Sequence, residues 1–168
     1  MLEYIEDQIL FKGLCQISKQ EYALAEMGIL TGFSEAEIRI LEADLQFETY
    51  HKGDVIIRQG DHDRDLFLLI SGIVSAKLHV KGKGHERRLS SINSGVCFGE
   101  IAMLDNKPRS VNVVADEDVK LYRLPYMNFQ GLQKKEPAIA NKLIMNIALI
   151  LSERMRSSTE EIKVLSEN

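Results

Sequence analysis

The sequence predicts an α+β fold in which a strand-rich middle lies between helical ends. Three observations carry this reading. Residues 1 to about 44 place apolar side chains at helical spacing. From about Phe47 to Tyr126, short β-branched and aliphatic runs alternate with Gly and Asp, and helical texture returns at about Pro125. Several short strands at such spacing imply an antiparallel sandwich, jelly roll or barrel.

The elements follow in order. Leu2, Ile5 and Ile9 fall on one face of a first helix, with Glu3, Glu6 and Asp7 opposite, and Gly13 ends it. A second helical stretch runs from about Lys19 to Leu30. Ser34-Glu35-Ala36-Glu37 is a capping box: the Ser34 hydroxyl accepts from the backbone three residues on, and Glu37 reaches back. Ile38, Leu41 and Leu45 continue that helix. Strands are expected at Val55–Ile57, Leu66–Ile70, Ile73–Val80, Arg88–Ile92, Val111–Val114 and Lys120–Leu124. Lys81 to Gly84 reads as a solvated hairpin tip, where glycines supply positive φ. Tyr126 to Lys135 is a helix, and Pro137 suits the first turn of another running past Met155.

Composition narrows the function classes. The chain has 168 residues, 45% hydrophobic and 27% charged, which fits one globular domain without a disulfide or metal staple. A formal charge of −4 argues against a dedicated nucleic-acid binder. Cys15 and Cys97 form no metal-like pair and read as reduced thiols of a cytoplasmic protein. No apolar run approaches the ~18 residues of a membrane span. The first residues lack the basic and apolar regions of a signal peptide. Asp61-His62-Asp63-Arg64-Asp65 lacks the Gly and distal Glu of a calcium loop and reads as a solvated turn. No closely paired histidines suggest a metalloenzyme, and no nucleophile–base set is apparent, so no catalytic residue, metal site or cofactor is expected.

One stretch breaks the strand rhythm: Phe98-Gly99-Glu100-Ile101-Ala102 through Lys107-Pro108-Arg109-Ser110. A short helical turn behind Gly99 presents unpaired N–H groups, which suit an anion. Arg109 adds a permanently charged fork for phosphate oxygens. Glu100 repels a phosphate and needs donors, which sugar hydroxyls supply. Together they imply a nucleotide whose phosphate is held close to its ribose. The plain structural reading of Glu100 and Arg109 is an ion pair with each other.

This segment closely resembles the phosphate-binding cassette of cyclic nucleotide-binding domains, found in cAMP-dependent kinase regulatory subunits and catabolite-activator-type regulators. Gly53-Asp54-Val55-Ile56-Ile57-Arg58-Gln59-Gly60-Asp61, Ser71-Gly72, Ala115-Asp116 and Leu121-Tyr122-Arg123-Leu124 resemble the family's other landmarks, over about residues 28–155. The resemblance implies an antiparallel β jelly-roll barrel with N-terminal helices and a long C-terminal lid helix. It implies that Glu100 bonds the ribose 2′-hydroxyl and that Arg109 pairs with the cyclic phosphate. The backbone of Gly99, Ile101 and Ala102, and the Ser110 hydroxyl, would complete the cassette. Ile150 and Arg154 fall where lid residues lie, although an ordinary surface arginine also fits Arg154. Val111 and Asn112 stand where the family often has a small residue and a Thr or Ser; the Val111 N–H and the Asn112 amide can still serve the ligand.

The expected function is a cyclic nucleotide sensor, with cAMP ahead of cGMP as ligand. The alternative is a module that keeps the fold without the ligand and serves dimerisation or docking. Ile144, Ala148, Leu151, Met155, Ser158, Ile162 and Leu165 form a heptad-like stripe, read either as core packing with a frayed tail or as a homodimer contact. Residues 1–27 are expected to be a helical extension and 156–168 a helix extension or tail. Leu2 to Leu10 resembles the last helix of the STAS domains that precede such sensors in some bacterial sulfate-permease-like and glutaminase-like proteins. The regulated effector is then expected outside this chain, and a helix-turn-helix after the long helix is not expected within it.

Overall fold

The computed structural model describes residues 21–80, 84 and 86–166. The expected first helix, the STAS-like segment and most of the Lys81–Gly84 tip lie outside them.

Among the described residues, eight antiparallel strands make two four-stranded sheets. The strands are β1 (Gln46–Tyr50), β2 (Val55–Ile57), β3 (Leu66–Ser71), β4 (Ile73–His79), β5 (Glu86–Asn93), β6 (Cys97–Phe98), β7 (Asn112–Ala115) and β8 (Val119–Leu124). One sheet has the order β1-β8-β3-β6, the other β2-β7-β4-β5. The chain changes sheets between β3 and β4 at Gly72, whose φ is +93°. A Cβ there would lie 2.6 Å from a Val119 methyl and 2.8 Å from the Asp118 carbonyl, so only glycine fits the corner.

The unbroken apolar run of β3 is explained by burial on both faces. Phe67 and Leu69 point between the sheets with Val74, Val113 and Leu121. Leu66, Leu68 and Ile70 point the other way, onto the helices. Each fully buried side chain of this kind contributes about 1.5–3 kcal/mol.

The helices cover that second face. Two 3-10 turns, Leu24–Glu26 and Gly28–Leu30, replace the expected second α-helix. Helix α1 (Glu35–Glu42) carries the capping box: Glu37 N–H donates to Ser34 Oγ at 3.2 Å, and Ser34 N–H donates to Glu37 at 2.7 Å. Helix α2 (Glu100–Asp105) interrupts the strands, α3 (Tyr126–Lys135) follows β8, and α4 is one 30-residue helix, Pro137–Ser166. Phe129, Leu132, Ile139, Leu143 and Ile147 of α3 and α4 close on Leu66 and Leu68. Asn146 clasps the N-terminal turns by donating to the carbonyls of Ile29 and Thr31. Beyond Leu151 the stripe on α4 is open, with Met155, Ile162 and Leu165 all exposed. Among the described residues, no helix is long and apolar enough to cross a membrane.

Candidate ligand-binding site

A cavity of about 320 Å³ opens between α2, the segment Lys107–Val111 and the sheet of β2, β4, β5 and β7. That size falls within the range of small-molecule sites, roughly 300–1,000 Å³. The sheet wall is mostly apolar, with Ile57, Ala76, Ile92 and Val113, and Ser90 contributes a hydroxyl.

Arg109 is the anchor of the site, and its side chain is only 3% exposed. Its backbone is clamped to a neighbouring loop: Gly60 N–H donates to the Arg109 carbonyl, and Arg109 N–H donates to the Asp61 carbonyl, both at 2.8 Å. The guanidinium has five N–H donors. Nε donates to Asp63 Oδ2 at 3.2 Å, and Nη2 donates to Asp63 Oδ1. Nη2 also donates to the Asp65 carbonyl at 2.6 Å, and Nη1 donates to the Gly99 carbonyl at 2.8 Å. One N–H on Nη1 remains.

Gly99 is forced by this packing. Its φ is +83°, and a Cβ would stand 2.9 Å from both Arg109 Nη1 and the Asp65 carbonyl. The residue also starts α2, so the backbone of Glu100, Ile101 and Ala102 turns sharply into the cavity wall.

Glu100 is 4% exposed. It pairs with Arg154 rather than with Arg109: Arg154 Nη1 donates to Glu100 Oε1, and Nη2 donates to the Cys97 carbonyl at 3.0 Å. Glu100 Oε2 has no hydrogen-bond partner among the described residues. Arg154 therefore brings α4 to the rim of the cavity and is not an ordinary surface arginine.

The cavity collects Gly99, Glu100, Ile101, Ala102, Arg109, Ser110, Val111 and Arg154. Two expected residues stand elsewhere. Asn112 is the first residue of β7 and precedes Val113, which lines the cavity, so the two-residue period of a strand turns it away. Its Oδ1 accepts from Gln59 N–H at 2.7 Å, and its Nδ2 donates to Glu86 at 3.1 Å. Ile150 packs with Ile147 and Leu151 against the helical core, one turn before Arg154.

The Asp61–Asp65 loop is exposed at Asp61, His62 and Asp63, as a solvated turn would be, and it also serves the scaffold through Asp63 and Asp65, because a buried guanidinium must be met by anionic or carbonyl acceptors. Burial alone would raise the Asp63 carboxyl, but the hydrogen bond and charge of Arg109 outweigh it and hold it below the usual carboxylate range. Asp65, 8% exposed, also accepts from Arg123 Nε and from Tyr126 N–H. The acidic cluster was the only sequence signal for these roles. Among the described residues, no group of His, Cys, Asp and Glu is arranged to hold a metal ion.

A family model for the cyclic nucleotide-binding domain matches residues 47–136. The chain belongs to the cyclic nucleotide-binding domain family. It is therefore a regulatory, nucleotide-binding domain of a signalling family rather than a catalytic one. It is 32% identical over 136 residues to the cyclic AMP receptor protein of Thermus thermophilus, covering 80% of this chain and 60% of that one. It is 30% identical over 166 residues to glutaminase 1 of Bradyrhizobium diazoefficiens, covering 98% of this chain but 26% of the glutaminase. The chain thus spans about a quarter of the length of that relative. The crystal structure of the Thermus thermophilus catabolite activator protein superposes with a TM-score of 0.69 at 31% identity, covering 83% of this chain and 63% of that one. The fold is the family's jelly roll with a C-terminal helix.

Proposed function

We propose that the cavity binds a cyclic nucleotide, cAMP ahead of cGMP, and that the chain acts as the sensing module of a larger regulated protein. The observation that carries this is the unspent N–H of Arg109. The guanidinium is buried, held by four hydrogen bonds, and lines a cavity beside the first backbone N–H groups of α2. A cyclic phosphate would take that N–H together with the N–H groups of Ile101 and Ala102 and the Ser110 hydroxyl. Glu100 Oε2 would accept from the ribose 2′-hydroxyl. The base would lie on the apolar wall of Ile57, Ala76 and Ile92, beside Val111. Guanine carries more polar groups than adenine, and such groups cost free energy when buried without partners, which supports cAMP.

Arg154 already ties α4 to Glu100, so the lid in this reading is a helix that adjusts its grip as ribose arrives. Such a step transmits a signal only through a difference in ligand affinity between the two states. The effector would lie outside this chain, and the resemblance to a glutaminase and to a receptor protein supports a fused arrangement. The exposed Met155, Ile162 and Leu165 support pairing of α4 with its copy in a homodimer. A cytoplasmic location is proposed with these roles.

A second reading, a docking or dimerisation module without ligand, has one observation behind it: both functional charges are already paired, Arg109 with Asp63 and Glu100 with Arg154. Isothermal titration with cAMP and cGMP separates the two. The sensor binds cAMP and its melting temperature rises with ligand. Loss of a charged hydrogen bond of about 1.5–3 kcal/mol weakens Arg109→Ala roughly 10- to 150-fold. Absence of binding by the wild type at millimolar ligand supports the ligand-free module instead, and unchanged binding by a folded Arg109→Ala overturns the phosphate role of Arg109.

A further inference from the structure

Arg64 is a charged side chain beside the site with no part in holding the ligand. Arg64 adjoins the residues that hold Arg109, yet its own guanidinium serves the far end of α2. Its Nε donates to the Ala102 carbonyl at 3.3 Å, and its Nη2 donates to the Met103 carbonyl at 2.7 Å. Both carbonyls lie in the last turns of a six-residue helix: that of Ala102 also accepts from the Asn106 N–H at 3.1 Å, and that of Met103 is among the final ones, which have no partner within a helix. The flat face of the same guanidinium lies over the Tyr126 ring, with Cζ 3.7 Å from the ring centroid. Tyr126 is the first residue of α3.

We propose that Arg64 is a positioning residue that couples α2 to the C-terminal helical pair. The guanidinium spends its N–H groups on α2 and its face on α3, so displacement of either helix disturbs the contact with the other. Helix α3 shares its buried face with α4 through Phe129, Leu132, Ile139 and Leu143. Helix α2 is therefore tied to the helical pair at both ends, by Arg154 at Glu100 and by Arg64 at Ala102 and Met103. Arg64 joins a different helix from Arg154 and uses none of the groups assigned to the ligand. Lysine cannot replace it, because an ammonium on a flexible stem cannot bond two carbonyls in one plane while presenting a face to a ring. The coupling is present in the free chain and goes beyond the ligand reading.

Amide hydrogen exchange on the free chain, resolved by peptide, tests this. Arg64→Met keeps the aliphatic stem and removes the fork. It should speed exchange in residues 100–106 and in residues 126–130 together, by about two- to five-fold, the equivalent of an exposed cation–π contact. The β4 peptide should stay unchanged. Tyr126→Leu should speed exchange in α2, although position 126 lies in a different helix, whereas Tyr126→Phe keeps the ring and should match wild type. Arg64→Lys should behave like Arg64→Met. Loosening of α2 alone in Arg64→Met, an unchanged α2 in Tyr126→Leu, or equal loosening by Tyr126→Phe and Tyr126→Leu would each overturn the proposal. Should Arg64→Met fail to fold, the two Tyr126 variants decide the question between them. Because no ligand is added, failure of cyclic nucleotide binding leaves this result standing on its own.

Discussion

Asp63→Asn isolates the charge that holds Arg109. The substitution is nearly isosteric, keeps an acceptor at Oδ1 and turns the other oxygen into a donor that faces Nε of the guanidinium. Breaking a buried pair costs about 3–5 kcal/mol, whereas an exposed pair contributes about 0–1 kcal/mol. Here the Arg109 side chain is 3% exposed and Asp63 is 41% exposed, so solvent screens one partner only. The expected loss is about 2 kcal/mol at pH 7, between those limits. For a domain of this size that corresponds to a melting temperature lower by roughly 4–8 °C. The pH dependence has a fixed sign. The native Asp63 carboxyl is held below its ordinary range, so its contribution is complete above the unfolded value of about 3.9. It is lost as pH falls through the lower native value. Urea unfolding of wild type and variant at pH 7 and at pH 3 should show a gap that narrows in acid. A gap below about 0.5 kcal/mol at pH 7, within the range of ordinary surface substitutions, or an equal gap at both pH values, would refute the charge argument.

Gly99→Ala should destabilise the chain by at least about 1–2 kcal/mol from the left-handed backbone alone, and displacement of Arg109 Nη1 should weaken cAMP binding in titration. Burial pushes the Cys97 thiol up to about 12, with the Glu100 charge adding to the effect. Against an ordinary thiol near 8.5, its thiolate fraction at pH 8 falls roughly 10³-fold, so peptide-mapped iodoacetamide labelling of Cys97 should be slower by that order in the native chain than in urea. Ser34→Ala removes the α1 N-cap and should cost about 1 kcal/mol in urea unfolding. Truncation of the exposed Met155 and Leu165 side chains to Ala should shift sedimentation from dimer to monomer while leaving the melting temperature of the monomer within about 1 °C, as surface changes do.

Periodicity and turn chemistry made most of the fold legible. The β3 and β4 runs, the Ser34 box and the helix opened by Pro137 all stand where the residues pointed. The two strands that went unseen are short or polar. Cys97–Phe98 has two residues, and Gln46–Tyr50 carries few apolar side chains, so neither has enough alternation to register. The stretch before Leu30 has helical spacing but closes as 3-10 turns, held by Asn146 from more than a hundred residues away.

The site divides along the same line. Gly99, Glu100 and Arg109 were legible because a left-handed turn, a short helix and a fork of donors are local features written in neighbouring residues. Their partners were not. Asp63 is 46 residues from Arg109, and Arg154 is 54 from Glu100. Which carboxylate meets which cation depends on how the sheets and helices close around the cavity. By itself, then, the sequence determined the class of fold and the chemistry that the cassette offers. Only the tertiary structure decided how much of that chemistry stays free for a ligand, because burial obliges each charge to find a partner wherever the fold brings one.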